Sequence, residues 1–231
     1  MVARAQSRKA GRRGSETTPE AEEIASLEAA RAAVEDCRRC PLYGPATQAV
    51  FGEGPSEAGL MLVGEQPGDR EDRQGRPFVG PAGQVLDAAM EKAGIDRDRV
   101  YLTNAVKHFK FTPRGKRRMH QRPDGGEIQA CRFWLRLEQQ FVRPRVVVAL
   151  GATAARSLLE RAGITISRLR GTPIPLGDGM VLFVTNHPSY LLRLPDAEAR
   201  ARERAKFEAD LVLARKALAA AEKSDRPRGA A

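Results

Sequence analysis

The stretch "GLMLVGEQPGDREDRQGRPFVGPAGQVLDAAMEKAG", residues 59–94, predicts a β-strand, a loop rich in glycine and proline, and then a helix. The same order of a short apolar run followed by a helical pattern recurs along the chain. Further strands are predicted at residues 100–106, 145–151 and 180–188, with helices at 126–141 and 152–163. Strands that alternate with helices form parallel sheets. The sequence therefore predicts an α/β fold, a three-layer α/β/α sandwich with a central four-stranded parallel sheet.

Two further helical patterns flank this core, at residues 19–36 and 196–222. The second is rich in alanine and charge and has a thin apolar stripe, so it either packs on the sheet or projects as a solvated extension. We expect one domain over residues 21–222. The remaining segments, a basic arm at 1–20 and a tail at 223–231, have compositions typical of disorder.

The charge of the chain indicates a polyanionic partner. Its 231 residues carry a formal net charge of +10 and a calculated pI of about 10.1, which favours nucleic acid. The alternative is a set of arginine-rich, solvated helices. The longest apolar run, "VVVAL", is too short to cross a membrane, and the first residues lack the apolar stretch of a secretory signal. We expect a cytoplasmic monomer with no membrane partner.

The three cysteines indicate a metal or cluster site. Their odd number argues against a disulfide framework. Cys37 and Cys40 form a C-x-x-C pair, Cys131 lies in a predicted helix, and His108 follows the second predicted strand. Three thiolates and one imidazole suit either a tetrahedral zinc site or an iron–sulfur cluster. The spacing does not choose between them.

The loop at residues 64–83 matches neither the P-loop nor the G-x-G-x-x-G pattern. Its acidic side chains would repel phosphates, so we expect it to present Glu65, Gln66 and Asp69 to a neutral or developing positive centre. Phe78, which follows a proline, offers a ring face for a flat base. A purely structural loop is the alternative.

Polar residues also follow the other predicted strands, where ligands of parallel sheets bind. Asn104 closes the second strand and has both a donor and an acceptor with which to read a base edge. His187 begins "HPSYLLR", residues 187–193, and can donate to a ligand carbonyl, while the turn at Ser189 offers backbone N–H groups to a phosphate. A turn asparagine and a histidine that caps a helix are the alternatives.

A third histidine, His120, lies in the basic segment "KRRMHQRP", residues 116–123. A histidine in a basic loop is usually a solvated surface residue. If DNA is the partner, its basic neighbours would contact phosphates and hold the segment over the strand; they are Lys116, Arg117 and Arg118.

These motifs together resemble the uracil-DNA glycosylase superfamily, and in particular its iron–sulfur branch. "GEQPGDREDRQGRPFVGPAG", "YLTNAVK", "RVVVALGATA" and "HPSYLLR" occur in the expected order, and the likeness extends from the C-x-x-C pair to "HPSYLLR". Four-cysteine members of this branch have a cysteine in place of His108. The chain is similar to the X family (UdgX) in three features: this difference, the "GEQPGD" segment and the "KRRMH" segment. In that family the basic segment ends "KRRIH", and Met119 replaces its isoleucine here.

The resemblance implies a cofactor and a set of site residues. It implies a [4Fe–4S] cluster held by Cys37, Cys40, His108 and Cys131. It implies uracil-containing DNA, single- or double-stranded, as substrate. The base would be excised and the deoxyribose C1′ would become covalently joined to His120, with Glu65, Gln66 and His187 as the other catalytic residues. The implied substrate-binding residues are Gly64, Asp69, Phe78, Asn104, Ser189, Lys116, Arg117 and Arg118.

Overall fold

A computed structural model describes residues 24–224. Its helices and strands, in chain order, are α1 (Leu27–Val34), β1 (Leu60–Gly64), α2 (Asp69–Gln74), α3 (Pro81–Ala93), β2 (Val100–Asn104), β3 (Phe111–Arg114), β4 (Arg117–His120), α4 (Gly125–Val142), β5 (Val146–Leu150), α5 (Ala152–Leu159), α6 (Ile166–Leu169), β6 (Ile174–Pro175), β7 (Val181–Thr185), α7 (Pro188–Arg193) and α8 (Ala197–Ser224).

The main sheet has the strand order β2-β1-β5-β7-β6. The first four strands are parallel to one another, and the α/β prediction is confirmed. The prediction of four strands is wrong, because β6 pairs antiparallel with the edge strand β7 and makes the sheet mixed. β6 has only two residues, one of them Pro175, so it has no alternating pattern to detect, and a proline is tolerated at an edge.

Helices cover both faces of the sheet. Alternate residues of β1 belong to separate apolar cores: Met61 and Val63 pack with α1, α4 and α5, and Leu60 and Leu62 pack with α3 and α8. Full burial on both faces explains why the parallel strands are continuous apolar runs rather than alternating ones.

The helix α8 packs on the second of these cores. Phe207, Leu211 and Ala214 are fully buried, so of the two arrangements left open by the sequence the packed one is correct. The proposed basic arm at 1–20 lies outside the described residues. So does the proposed tail, apart from residues 223 and 224, which form the end of α8. No helix in the described part of the chain is long and apolar enough to span a membrane.

Two segments that the sequence suggested as loops contain regular structure. The acidic loop after β1 includes the short helix α2. The basic segment is part of a hairpin, in which β3 and β4 pair antiparallel and Phe111 lies opposite His120. His120 therefore lies at the base of the hairpin and not at its tip. Its exposed strands lack the apolar alternation that predicts a half-buried strand.

Candidate active site

A cavity of about 400 Å³ opens at the carboxyl ends of the parallel strands. β1, β2 and β7 each end there, as the rule for parallel sheets predicts. Six of the side chains that the sequence suggested contribute to its lining: Gln66, Asp69, Phe78, Asn104, His187 and Ser189. Glu65 and His120 lie beside it. The strand ends thus bring together residues that are far apart in the sequence.

The wall of the cavity depends on the absence of a side chain at Gly64. A Cβ atom there would lie 2.3 Å from Oδ1 of Asn104 and 2.6 Å from Cζ of Phe78. Phe78 is buried and has a φ of 56°, which is unusual for a residue other than glycine. Its ring, the Asn104 amide and the ring of His187 (6.3 Å between the ring centroids of Phe78 and His187) line the cavity.

Glu71 holds the loop that carries Phe78, a role that the sequence did not indicate. This buried carboxylate accepts hydrogen bonds from the backbone N–H groups of Gly68 (3.1 Å) and Gly80 (2.8 Å). The two glycines lie on either side of α2 and Phe78. Glu71 therefore closes the loop with two charge-assisted hydrogen bonds.

The surroundings of His187 fix its protonation and its tautomer. Burial lowers the pKa of His187 to about 4, and the charges of Arg193 and His120 act in the same direction, so the ring is neutral at pH 7. Its Nδ1 accepts a hydrogen bond from the backbone N–H of Ser189 (3.1 Å). A neutral imidazole with Nδ1 as acceptor carries its hydrogen on Nε2. His187 therefore offers an N–H donor.

Glu65 and His120 form a contact pair beside the cavity. His120 Nε2 lies 3.3 Å from Glu65 Oε1. The other oxygen of Glu65 accepts a hydrogen bond from Thr153 Oγ1 at 2.5 Å and lies 4.0 Å from Nε of Arg122. Desolvation lowers the pKa of His120 against the opposing effect of Glu65, and Arg193 and Arg122 add to the lowering. A neutral His120 is the form that can act as a nucleophile.

Gln66 contacts the base of the hairpin. Its Nε2 donates to the carbonyl oxygens of Lys110 (3.2 Å) and Gln121 (3.0 Å), and its Oε1 accepts from the Lys110 backbone N–H at 3.1 Å. One amide thus bridges the two ends of the β3–β4 hairpin. The amide of Gln66 therefore holds Gln121, the residue that follows His120 in the chain.

Arg118 is held by carboxylates in the structure. Its guanidinium donates to Asp69 and to the fully buried Asp72, each at 2.5 Å, and lies over the rings of Phe109 and Phe111. The sequence suggested a phosphate contact for Arg118, and suggested that Asp69 faces a neutral or developing positive centre of the substrate. The observed ion pairs instead fasten the hairpin to α2. The other two suggested phosphate contacts, Lys116 and Arg117, are exposed at the end of the hairpin.

We predict that Arg118→Gln lowers the activity of the site by about tenfold or more, because a hairpin released from α2 no longer holds the imidazole of His120 beside Glu65. The measurement is the single-turnover rate with the substrate that the sequence resemblance implies, uracil-containing DNA. Thr112→Ala changes an exposed position of the paired strand β3 and is the control. Equal rates for the two variants would show that the ion pairs of Arg118 do not position His120.

The four suggested metal ligands are buried or partly buried in one region. Sγ of Cys37 accepts a hydrogen bond from the indole N–H of Trp134 (3.1 Å), and Sγ of Cys131 accepts one from the backbone N–H of Lys107 (3.1 Å). Burial raises the pKa of the Cys131 thiol to about 12, and the nearby charges of Cys37 and Cys40 contribute to the rise. A thiolate at this position needs a cation, and the two N–H···S bonds resemble those that iron–sulfur proteins use to stabilise their ligands.

His108 completes this region. It is buried and directly follows Lys107, whose backbone N–H donates the hydrogen bond to Cys131. Burial lowers the pKa of His108 to about 4. A neutral imidazole is the form that ligates a metal. Within residues 24–224, no three side chains of His, Cys, Asp or Glu are grouped closely enough to hold a single metal ion. Three sulfur donors and a neutral imidazole nitrogen, with N–H···S bonds to two of the sulfurs, are a donor set that fits an iron–sulfur cluster.

A buried ion pair that the sequence did not reveal lies between the cavity and the cysteines. Nζ of Lys107 donates to Glu138 (2.6 Å), to Thr103 (2.7 Å) and to the backbone oxygen of Asn104 (2.8 Å). Both charged side chains are fully buried. Breaking such a pair leaves an uncompensated charge, so it links α4 firmly to the end of β2. A lysine and a glutamate 31 positions apart give no sequence signal of contact.

The fold and the site define an α/β protein whose strand-end cavity is lined by an aromatic ring, an amide and an imidazole, with a carboxylate and a second histidine in contact beside it. The sequence profile of the Uracil DNA glycosylase superfamily matches residues 51–212. The chain belongs to this superfamily.

Curated relatives support the same assignment. The chain is 40% identical to the type-4 uracil-DNA glycosylase of Thermotoga maritima over 167 residues, which is 72% of this chain and 83% of the relative. It is 35% identical to the type-4 enzyme of Pyrobaculum aerophilum, over 78% of this chain and 88% of the relative. The type-5 uracil-DNA glycosylase of the same organism is 32% identical over 60% of this chain and 64% of its own length.

Proposed function

We propose that this chain is a uracil-DNA glycosylase of the X type, which excises uracil from DNA and becomes covalently linked to deoxyribose C1′ through His120. The names of its relatives support the excision of uracil. The observation that carries the covalent step is the contact between His120 Nε2 and Glu65 Oε1 (3.3 Å) at the edge of the cavity. Residues 21–222 would act as one domain and as a monomer.

Recognition of the base would use the wall of the cavity. A uracil within a duplex must be extruded before it can enter a pocket of this kind, whereas single-stranded DNA presents it directly. Phe78 would stack on the ring and the Asn104 amide would pair with its Watson–Crick edge. Cytosine reverses the donors and acceptors at that edge, and each unsatisfied buried group costs about 1–3 kcal/mol. An amide held in one orientation would therefore reject cytosine.

Departure of the base would depend on His187. Cleavage of the N1–C1′ bond leaves the electron pair on uracil, whose negative charge spreads to its carbonyl oxygens. The Nε2–H of a neutral His187 would donate to one of them, and this hydrogen bond strengthens as the charge develops. Because Ser189 fixes the tautomer, the donor is in place before the reaction starts.

Formation of the adduct would use Glu65 and His120 together. Glu65 would stabilise the positive charge that develops at C1′. Glu65 would take the proton from Nε2 of His120 across the 3.3 Å contact as the N1–C1′ bond breaks, and the electron pair that this leaves on Nε2 would form the new bond to C1′. The products would be a neutral alkylated imidazole, a protonated Glu65 and the uracil anion, so the total charge is unchanged. A neutral alkylimidazole is a poor leaving group, and the adduct should persist.

A conventional turnover glycosylase is the second candidate, favoured by the 40% identity to a type-4 uracil-DNA glycosylase. In that case Glu65 would direct water onto C1′, and an abasic site would be released. The two candidates differ in stoichiometry. An adduct-forming protein releases about one uracil per molecule, whereas a turnover enzyme releases many.

The proposal is tested by mixing the protein with an oligonucleotide that contains one labelled uracil. We expect one uracil released per protein and a band of slower mobility that survives heating in SDS. The same oligonucleotide with thymine in place of uracil is the control and should give neither. Repeated release of uracil without a resistant band would favour the turnover candidate, and no release at all would favour a protein that only binds DNA.

We also propose that Cys37, Cys40, His108 and Cys131 hold a [4Fe–4S] cluster with a structural role, which would fasten α4 to the segment around the C-x-x-C pair. The cluster, when bound, supplies cross-linking between these elements and takes no part in bond cleavage. A brown protein with broad absorption at about 400 nm, from thiolate ligation of iron, is the expected observation. A colourless protein that contains zinc would contradict it.

The pH dependence of the reaction follows from the two histidines. His120 has a pKa below its ordinary value of 6.5, and the pKa of His187 is about 4. Both rings are therefore predominantly neutral between pH 7 and pH 8, and we predict a nearly constant single-turnover rate of adduct formation over that range. On acidification the rate should fall with a midpoint below pH 6.5, as His120 takes up a proton. A decline with a midpoint above pH 7 would contradict this prediction.

A further inference from the structure

We infer that Thr153 is a positioning residue for Glu65, and that its hydroxyl group holds the carboxylate in the orientation that the reaction requires. The inference rests on the proposed function. Thr153 is nearly fully buried, and its Oγ1 donates to Glu65 Oε2 at 2.5 Å.

The turn before α5 places this hydroxyl at the site. Gly151 has a φ of 97°, a left-handed conformation that glycine adopts readily, and its N–H donates to the carbonyl oxygen of Thr185 at the end of β7 (2.9 Å). A Cβ on Gly151 would lie 3.1 Å from the Cβ of His187. The start of α5 is thereby held against the strand end that carries His187, and Thr153 is the second residue of that helix.

The two oxygens of Glu65 have separate partners. Oε2 accepts from Thr153, which leaves Oε1 at 3.3 Å from His120 Nε2. A carboxylate on a flexible side chain can rotate and exchange its oxygens, and a fixed donor on one of them removes that freedom. Arg122, at 4.0 Å from Oε2, is exposed and cannot fix the orientation to the same degree. The buried hydroxyl therefore determines which oxygen faces the imidazole and the sugar.

Thr153→Val tests the inference, because valine keeps the shape of threonine and removes the donor. We expect the maximum single-turnover rate of uracil release to fall by about tenfold. The DNA concentration that gives half of this rate should change little, since Thr153 is buried away from the DNA. Thr153→Ser, which retains the hydroxyl, should keep the rate within about threefold of the wild type.

Ser157→Ala is the matched control. Ser157 is a buried residue of the same helix, and its hydroxyl has no hydrogen-bond partner within the part of the chain that the structure describes. The Ser157→Ala variant should release uracil at the wild-type rate, because the removed hydroxyl does not contact Glu65. Thermal unfolding of each variant shows whether a slower rate reflects loss of folding.

Uracil release and adduct formation are measured in the same reactions, which separates the two proposals. If the wild-type protein releases uracil without an adduct, the role of His120 is wrong, but the rates still report on Thr153, because bond cleavage itself needs Glu65. If Thr153→Val matches the wild type while the adduct forms normally, the inference on Thr153 is overturned alone. Equal losses in the valine and serine variants would also overturn it, since packing and not the hydroxyl would then be responsible.

Discussion

His120→Ser is expected to eliminate the heat-resistant complex between the protein and uracil-containing DNA, because the serine side chain is too short to bring a nucleophile to C1′. Bond cleavage should continue, since Glu65 and His187 remain in place. The serine leaves a space that water can occupy, so we expect release of more than one uracil per protein molecule. The measurement is the time course of labelled uracil release, followed beside a denaturing gel.

Thr112→Ala, at an exposed position of the paired strand β3, is the control and should form the complex at the wild-type rate. A resistant band of undiminished intensity in His120→Ser would show that another residue attacks the sugar. Loss of both the band and uracil release would show instead that His120 is needed for bond cleavage itself.

His187→Asn is expected to slow uracil release by about 10²–10³-fold, the usual cost of removing one preorganised donor to a developing anion. The asparagine Oδ1 can replace Nδ1 as the acceptor at the start of α7, because asparagine is a favoured N-cap residue. The shorter side chain takes the donor away from the cavity. The loss should therefore appear in the rate of the chemical step and not in folding.

Tyr190→Phe, an exposed position of the same helix, is the control for this substitution. The variants are compared by single-turnover kinetics at saturating protein. A rate for His187→Asn within about threefold of the wild type would contradict the role of His187 as the donor to uracil.

Local patterns in the sequence were sufficient to predict the four parallel strands of the sheet. β1, β2, β5 and β7 are apolar runs rich in β-branched residues, and each is buried on both faces, so composition alone indicates them. The same patterns were not sufficient for the edge of the sheet or for the hairpin. β6 is too short to have a pattern, and β3 and β4 are held in place by tertiary contacts.

Strand ends indicated many of the candidate site residues, because in a parallel sheet they meet at one edge. Contacts between distant side chains could not be foreseen in this way. Gln66 bridges the ends of the hairpin, Arg118 pairs with Asp69 and Asp72, and Thr153 donates to Glu65 across 88 positions. Each of these depends on how the hairpin, α2 and α5 pack against one another. Such packing has no local signature in the sequence.

The central claim is that the imidazole of His120 bonds to the sugar, and mass spectrometry of the digested adduct tests it most directly. The complex is treated with nuclease and protease, and the peptide that contains His120 is fragmented. We predict that a mass corresponding to the deoxyribose and its remaining phosphate lies on His120. An unmodified His120 in protein that has released its uracil, or the added mass on a different residue, would contradict the account.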